Sequence, residues 1–268
     1  GTEHTTLDEI EQVIESGCEI ALSETAIKNI EHCRRYLDEK MKNREKPIYG
    51  ITTGFGSLCN TSVSEDELEQ LQENLIKSHS CGMGDEVEQR IVRLMMLLKV
   101  KNMSYGISGV CVSTAQRLVD FYNKGITPVV YQLGSLGASG DLAPLAHITL
   151  AMLGMGEVYY KGEKRNSADV LAELDMEPLR LKSKEGLALI NGTQFMLSHA
   201  IDALLRGRKI LKNADIIATM SLEGFNGLAD PFTENLHTIR PHKGQIKTAQ
   251  NIRGYLAGSE LQQQQKVW

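Results

Sequence analysis

Residues 134–147 read Gly134-Ser135-Leu136-Gly137-Ala138-Ser139-Gly140-Asp141-Leu142-Ala143-Pro144-Leu145-Ala146-His147. Glycines at 134, 137 and 140 permit a tight turn. The run that follows is helical in pattern, with Asp141 at the N-cap position and Pro144 tolerated in the first turn. On local chemistry alone this is a helix-entry loop, since an arbitrary Ala-Ser-Gly does no more than relax the backbone.

Outward from this loop the pattern is mainly helical. Thr6 and Glu9 form a capping box for a short helix over 7–16, and Gly17 is its stop. Ser23 can cap a longer helix whose apolar stripe is Ile27, Ile30, Cys33, Leu37 and Met41, and which ends before Pro47. Residues 47–60, PIYGITTGFGSLCN, are too rich in Gly and Thr for a regular helix and read as an ordered loop. A second capping box, Ser64 with Glu67, opens a helix with Leu68, Leu71, Leu75 and His79 on one face. CGMGDE breaks it. Helices are expected over 86–101 and 109–123, a short strand at ITPVVY, and a hairpin over 157–165 turning at Lys161-Gly162. From about 185 the pattern predicts one or two long apolar helices. An irregular loop, ADPFTENLHTIRPHKGQ, follows them, and a further helix begins at NIRGYL.

Composition bounds the function. Apolar residues make up 41%, charged residues 24% and aromatics only 5%, and a load carried by Ala, Leu, Ile and Met favours helix over sheet. The net charge of −5 comes from interspersed signs without a basic stripe, so no nucleic-acid partner is expected. No apolar run reaches a membrane span, and GTEHTTLDEI lacks a signal pattern. Five cysteines, at 18, 33, 59, 81 and 111, include no CxxC pair. Neither a metal site nor a disulfide framework is expected, and a reducing cytoplasm fits.

Taken whole, GSLGASGDLAPLAH resembles the signature of the histidine/phenylalanine/tyrosine ammonia-lyase family. The resemblance implies that Ala138-Ser139-Gly140 cyclises into 4-methylideneimidazol-5-one. The Gly140 nitrogen attacks the Ala138 carbonyl, and two waters leave. Ser139 supplies the β-hydroxyl whose loss leaves the methylene, Gly140 an unhindered nitrogen in a strained turn, and Ala138 a small side chain. Such a methylene is an electrophile that ordinary side chains do not provide. Asp141 is implied to support this group.

Three further segments carry the likeness. YGITTGFG resembles the family loop whose tyrosine, Tyr49 here, is the proposed catalytic base. A phenol near its reference pKa of about 10 needs a perturbing site to act so at neutral pH. QENLIKSH resembles the segment that selects the substrate ring, and Ser78-His79 is similar to the histidine-specific members. LINGT resembles the segment whose asparagine, Asn191, lies beside the prosthetic group and the substrate. His237, Arg240 and His242 fall in a loop given a structural role.

The resemblance implies elimination of ammonia from L-histidine to urocanate, with tyrosine or phenylalanine lyase and aminomutase activity as alternatives. It also implies a homotetramer and a chain about twice as long. On that reading residues 1–195 are the electrophile-bearing N-terminal region. Residues 196–268 are the first helices of a central bundle left incomplete, and the arginine and second tyrosine expected further along the family's chain are not in this one. A non-catalytic, half-length relative that binds a partner through exposed helices is the reading from another class.

Overall fold

The computed structural model describes residues 1–42, 48, 51, 53 and 67–264. Helices α1 (Leu7–Ser16) and α2 (Glu24–Lys42) open the chain, followed by α3 (Leu68–His79), β1 (Met83–Glu86), α4 (Gln89–Met103) and α5 (Val112–Asn123). Then come β2 (Thr127–Pro128), β3 (Tyr131–Leu133), α6 (Leu142–Met152), β4 (Glu157–Tyr160), β5 (Glu163–Asn166) and α7 (Ser167–Glu173). The remaining helices are α8 (Glu185–Ile190), α9 (Gln194–Gly224), α10 (Glu234–Thr238), α11 (Lys243–Leu256) and α12 (Glu260–Gln264). The fold is therefore mainly α, as expected.

Local chemistry explains many boundaries. Thr6 and Glu9 form the expected reciprocal capping box, and Gly17 ends α1 in the left-handed region. The Ser23 hydroxyl accepts from the Ala26 N–H at 3.2 Å, which caps α2. β4 and β5 form the expected hairpin, with Lys161 and Gly162 both at positive φ, as a two-residue turn of matched twist requires. The expected cap at Ser64 lies outside the described residues.

Other boundaries differ from expectation. Residues 83–86, read as a helix break, form β1 and pair antiparallel with β3. ITPVVY is divided: β2 pairs with β4 in a three-stranded sheet, and β3 joins the other sheet. The apolar stretch from 185 splits at Asn191-Gly192-Thr193 into α8 and α9. The loop after α9 contains a 3₁₀ turn at Asp230–Phe232 and α10, and α11 starts at Lys243, ahead of NIRGYL.

The chain divides into two compact units, Gly1–Asp202 and Ala203–Trp268. In the first, α4 packs on α5, and α6 packs against α3, α7 and α8. Helix α6 is buried on nearly every side through Ala143, Leu145, Ala146, Ile148, Ala151 and Met152. Each such leucine or isoleucine contributes about 1.5–3 kcal/mol of burial. A helix held this firmly fixes the turn at its N-terminus, which is Ala138-Ser139-Gly140. In the second unit α10 and α11 pack together, and the Arg253 guanidinium donates to the Phe232 carbonyl at 2.6 Å. Among the described residues no helix is long and apolar enough to cross a membrane.

Candidate active site

The turn 138–140 is held from behind by the segment between α8 and α9. Gly140 has φ +96°, and a Cβ placed there would sit 2.6 Å from the Gly192 carbonyl oxygen and 2.9 Å from its nitrogen. Only glycine fits this approach. The next residue continues it: the Asp141 N–H donates to the same Gly192 carbonyl at 2.6 Å.

Asp141 occupies the N-cap position of α6, but its side chain makes no capping bond to that helix. It is fully buried. One carboxylate oxygen accepts from the Ser135 hydroxyl at 2.9 Å, and the other from the Met196 N–H at 3.0 Å. Met196 lies in the first turn of α9, whose N–H groups lack partners within the helix. Asp141 thus caps α9 instead of its own helix, and it ties both ends of the turn to one carboxylate.

A cavity of about 200 Å³ opens over the turn, lined by Ser78, His79, Cys81, Ala138, Ser139 and Gly140 among others. Ala138 and Ser139 are exposed towards solvent. The structure therefore brings the end of α3 to the Ala-Ser-Gly turn across about sixty residues of sequence. His79 Nδ1 lies 2.9 Å from the Leu75 carbonyl, with the Ser78 hydroxyl 3.0 Å away. A carbonyl only accepts, so the neutral ring carries its proton on Nδ1 and leaves Nε2 as an acceptor. Asn191 is exposed and outside that lining, and it joins the site through its backbone. Tyr49 lies outside the described residues. Among the described residues no group of three or more His, Cys, Asp or Glu side chains could hold a metal ion.

Two features of the site were not read from sequence. Lys99, on α4, is 2% exposed and donates to the Asn191 carbonyl at 3.2 Å. Burial alone pulls its pKa down to about 7. Gln194 is buried beside Gly192, and its Oε1 has no hydrogen-bond partner among the described residues. A lysine in the apolar stripe RIVRLMMLLKV was the one available signal for the first. A glutamine at a helix start offers none for the second.

Residues 5–267 match the profile of a family described as aromatic amino acid lyase. The chain belongs to that family of carbon–nitrogen lyases. It is 45% identical over 255 residues to histidine ammonia-lyase 2 of Fusobacterium nucleatum, covering 95% of this chain and 50% of that one. The histidine ammonia-lyase of Natranaerobius thermophilus is also 45% identical, over 259 residues, with 97% and 51% covered. This lyase-family chain thus spans about half the length of the curated relatives it matches. Among solved structures, a tyrosine aminomutase superposes with a TM-score of 0.90 at 35% identity, covering 97% of this chain and 49% of that one. Histidine ammonia-lyase from Trypanosoma cruzi superposes at 0.86 with 37% identity, covering 93% and 49%.

Proposed function

We propose that this lyase-family chain carries the electrophile-forming and ring-binding parts of a histidine ammonia-lyase. The observation that carries the reading is the shared cavity: Ser78 and His79 line the same space as Ala138, Ser139 and Gly140. The residues fit the prosthetic group. Gly140 lies at positive φ with the Gly192 carbonyl oxygen 2.6 Å from where a Cβ would be, so the turn has room for glycine alone, and Ala138 and Ser139 are exposed at the cavity. The closed 4-methylideneimidazol-5-one would supply an electrophilic methylene at the cavity floor.

The chain's own groups do the rest. His79 Nε2 accepts a hydrogen bond from the N–H of a substrate imidazole, which neutral histidine always has to offer. Elimination breaks the C–N bond and the β C–H bond, and the electrons of the latter become the new double bond. Tyr49 takes the β-proton. That role needs its phenol well below the reference value of about 10, as a nearby cation or hydrogen bonds to the phenolate would achieve. The resemblance assigns Asn191 to the substrate, while here its side chain lies outside the cavity lining and its carbonyl is held by Lys99. A homotetramer and a reducing cytoplasm complete the reading, and the exposed or half-buried free thiols of Cys18, Cys33, Cys81 and Cys111 suit it.

Two measurements test this. The intact mass should fall two waters below the encoded value, and an unreduced mass would remove the electrophile from the reading. L-histidine should yield urocanate absorbance in preference to any product from L-tyrosine or L-phenylalanine. The likeness to tyrosine and phenylalanine aminomutases supports a second reading, and a product from those amino acids but not from histidine would establish it. A third, partner binding without catalysis, draws on the exposed Ile210, Leu211, Ile217 and Met220 of the second unit.

A further inference from the structure

We propose that Lys99 is a positioning residue for the cyclising turn. From the core it holds the Asn191 carbonyl, and so fixes the Asn191-Gly192 segment that presses on Gly140. The proposal rests on the reading of Ala138-Ser139-Gly140 as the electrophile-forming turn, and the geometry supports it link by link. The Lys99 side chain crosses from α4 to the α8–α9 junction, where its ammonium donates to the Asn191 carbonyl at 3.2 Å. The next peptide carries the Gly192 carbonyl, which accepts from the Asp141 N–H at 2.6 Å and whose oxygen lies 2.6 Å from where a Cβ of Gly140 would be. Asn191 has left the helix, with φ −87° and ψ 111°, so the α8 ladder no longer dictates where its carbonyl points.

A lysine is costly here. Its neighbours on α4 are Met95, Met96 and Met103, all fully buried, and among the described residues its one hydrogen bond is to Asn191. Packing alone would favour methionine at this position, because a buried amine without a carboxylate partner loses hydration and gains little. A group retained against packing is explained by the bond that it makes. Burial pulls its pKa to about 7, but the amine and the ammonium are both donors, so the hold on the carbonyl survives either state.

Ring closure shows why the hold matters. The Gly140 nitrogen bonds to the Ala138 carbonyl carbon. One water leaves with that carbonyl's oxygen and the protons of the Gly140 and Ser139 amides. The second leaves with the Ser139 hydroxyl and its α-proton. No oxidant is needed, and what the protein must supply is compression of the turn.

The test is amide hydrogen exchange at Asp141 in the wild-type chain, Lys99→Met and Lys99→Arg, alongside thermal melts. Methionine matches the lysine stem in shape and the site in polarity, so the melting temperature should hold or rise. Exchange at Asp141 should quicken about tenfold, the equivalent of one ordinary hydrogen bond, with amides of α5 unchanged. Arginine keeps a donor and should keep that amide slow. Unchanged exchange at Asp141 in Lys99→Met would overturn the proposal. So would a rise spread evenly through α4 and α5, or fast exchange in Lys99→Arg. Exchange at Asp141 reports on Lys99 whether or not the ring has closed. The intact mass separately judges the reading of the turn.

Discussion

At Gly140 the requirement for glycine is backbone geometry. A φ of +96° disfavours any side chain, and a Cβ would meet the Gly192 carbonyl oxygen at 2.6 Å. Gly140→Ala must therefore push apart the turn and the α8–α9 junction. We expect a loss of about 1–3 kcal/mol, the usual cost of forcing a residue into such a conformation, read from chemical denaturation. On the proposed reading of the turn, the two-water mass deficit should vanish in the same variant. A second residue responds to pH. His147, from the same signature, has its Nε2 accepting from the Gly82 N–H at 3.0 Å while its ring stacks edge-on against Tyr131. Burial lowers its pKa below 6.5. With the folded value depressed, the unfolded chain binds the proton first as pH falls. The contribution is full above about 6.5 and shrinks as pH drops towards the folded value. His147→Gln, which keeps an acceptor, should flatten that part of the stability–pH curve. An unchanged slope would place the titrating group elsewhere.

At the scale of elements, one buried carboxylate organises the start of α5. Glu185, on α8, is 1% exposed and accepts from the Cys111 N–H at 2.7 Å, the Thr114 hydroxyl at 2.6 Å and the Lys182 N–H at 2.8 Å. It caps α5 from another element, as Asp141 caps α9. Burial first, and then the Glu185 charge, push the Cys111 thiol up to about 11. Glu185→Ala would leave the buried Thr114 hydroxyl and the half-buried Cys111 N–H without this partner and should cost about 1–3 kcal/mol. The same change should make Cys111 react faster with a maleimide. A variant as stable as wild type would refute that account. These two caps also show why part of the molecule was legible in the sequence and part was not. Thr6 with Glu9, Gly17 and Lys161-Gly162 act on neighbours within a few residues, so their patterns could be read directly. Asp141 sits at a cap position, but its partners, Ser135 and Met196, are set by the fold. β1 was hidden because MGDE has no strand pattern, and it forms because β3 lies alongside. The signature 134–147 marked the turn, and QENLIKSH marked its neighbour. The shared cavity, Lys99 and Gln194 arise from packing between distant segments.

At the scale of the whole molecule, the unit Ala203–Trp268 shows much apolar surface. Ile210, Leu211, Ile217, Met220, Phe225 and Ile239 are each more than 60% exposed. Isolated exposed apolar groups are ordinary, but Ile210 with Ile217 and Ile217 with Met220 stand at helical spacings of seven and three along α9. Such a stripe has the character of a contact face. The family reading adds a homotetramer, so this face should be covered when the protein associates. Light scattering at rising concentration should show a species larger than one chain. The double variant Ile217→Glu, Met220→Glu should shift it towards the monomer with little loss of thermal stability. Those positions are mostly exposed in a single chain, and surface changes of this kind usually stay within about 0.5 kcal/mol. The Gly1–Asp202 unit should retain its two-water deficit in that variant, because every described contact on the turn comes from within it. A stripe that leaves the mass unchanged in solution, and a double variant that melts far below wild type, would mean instead that these side chains pack within the chain.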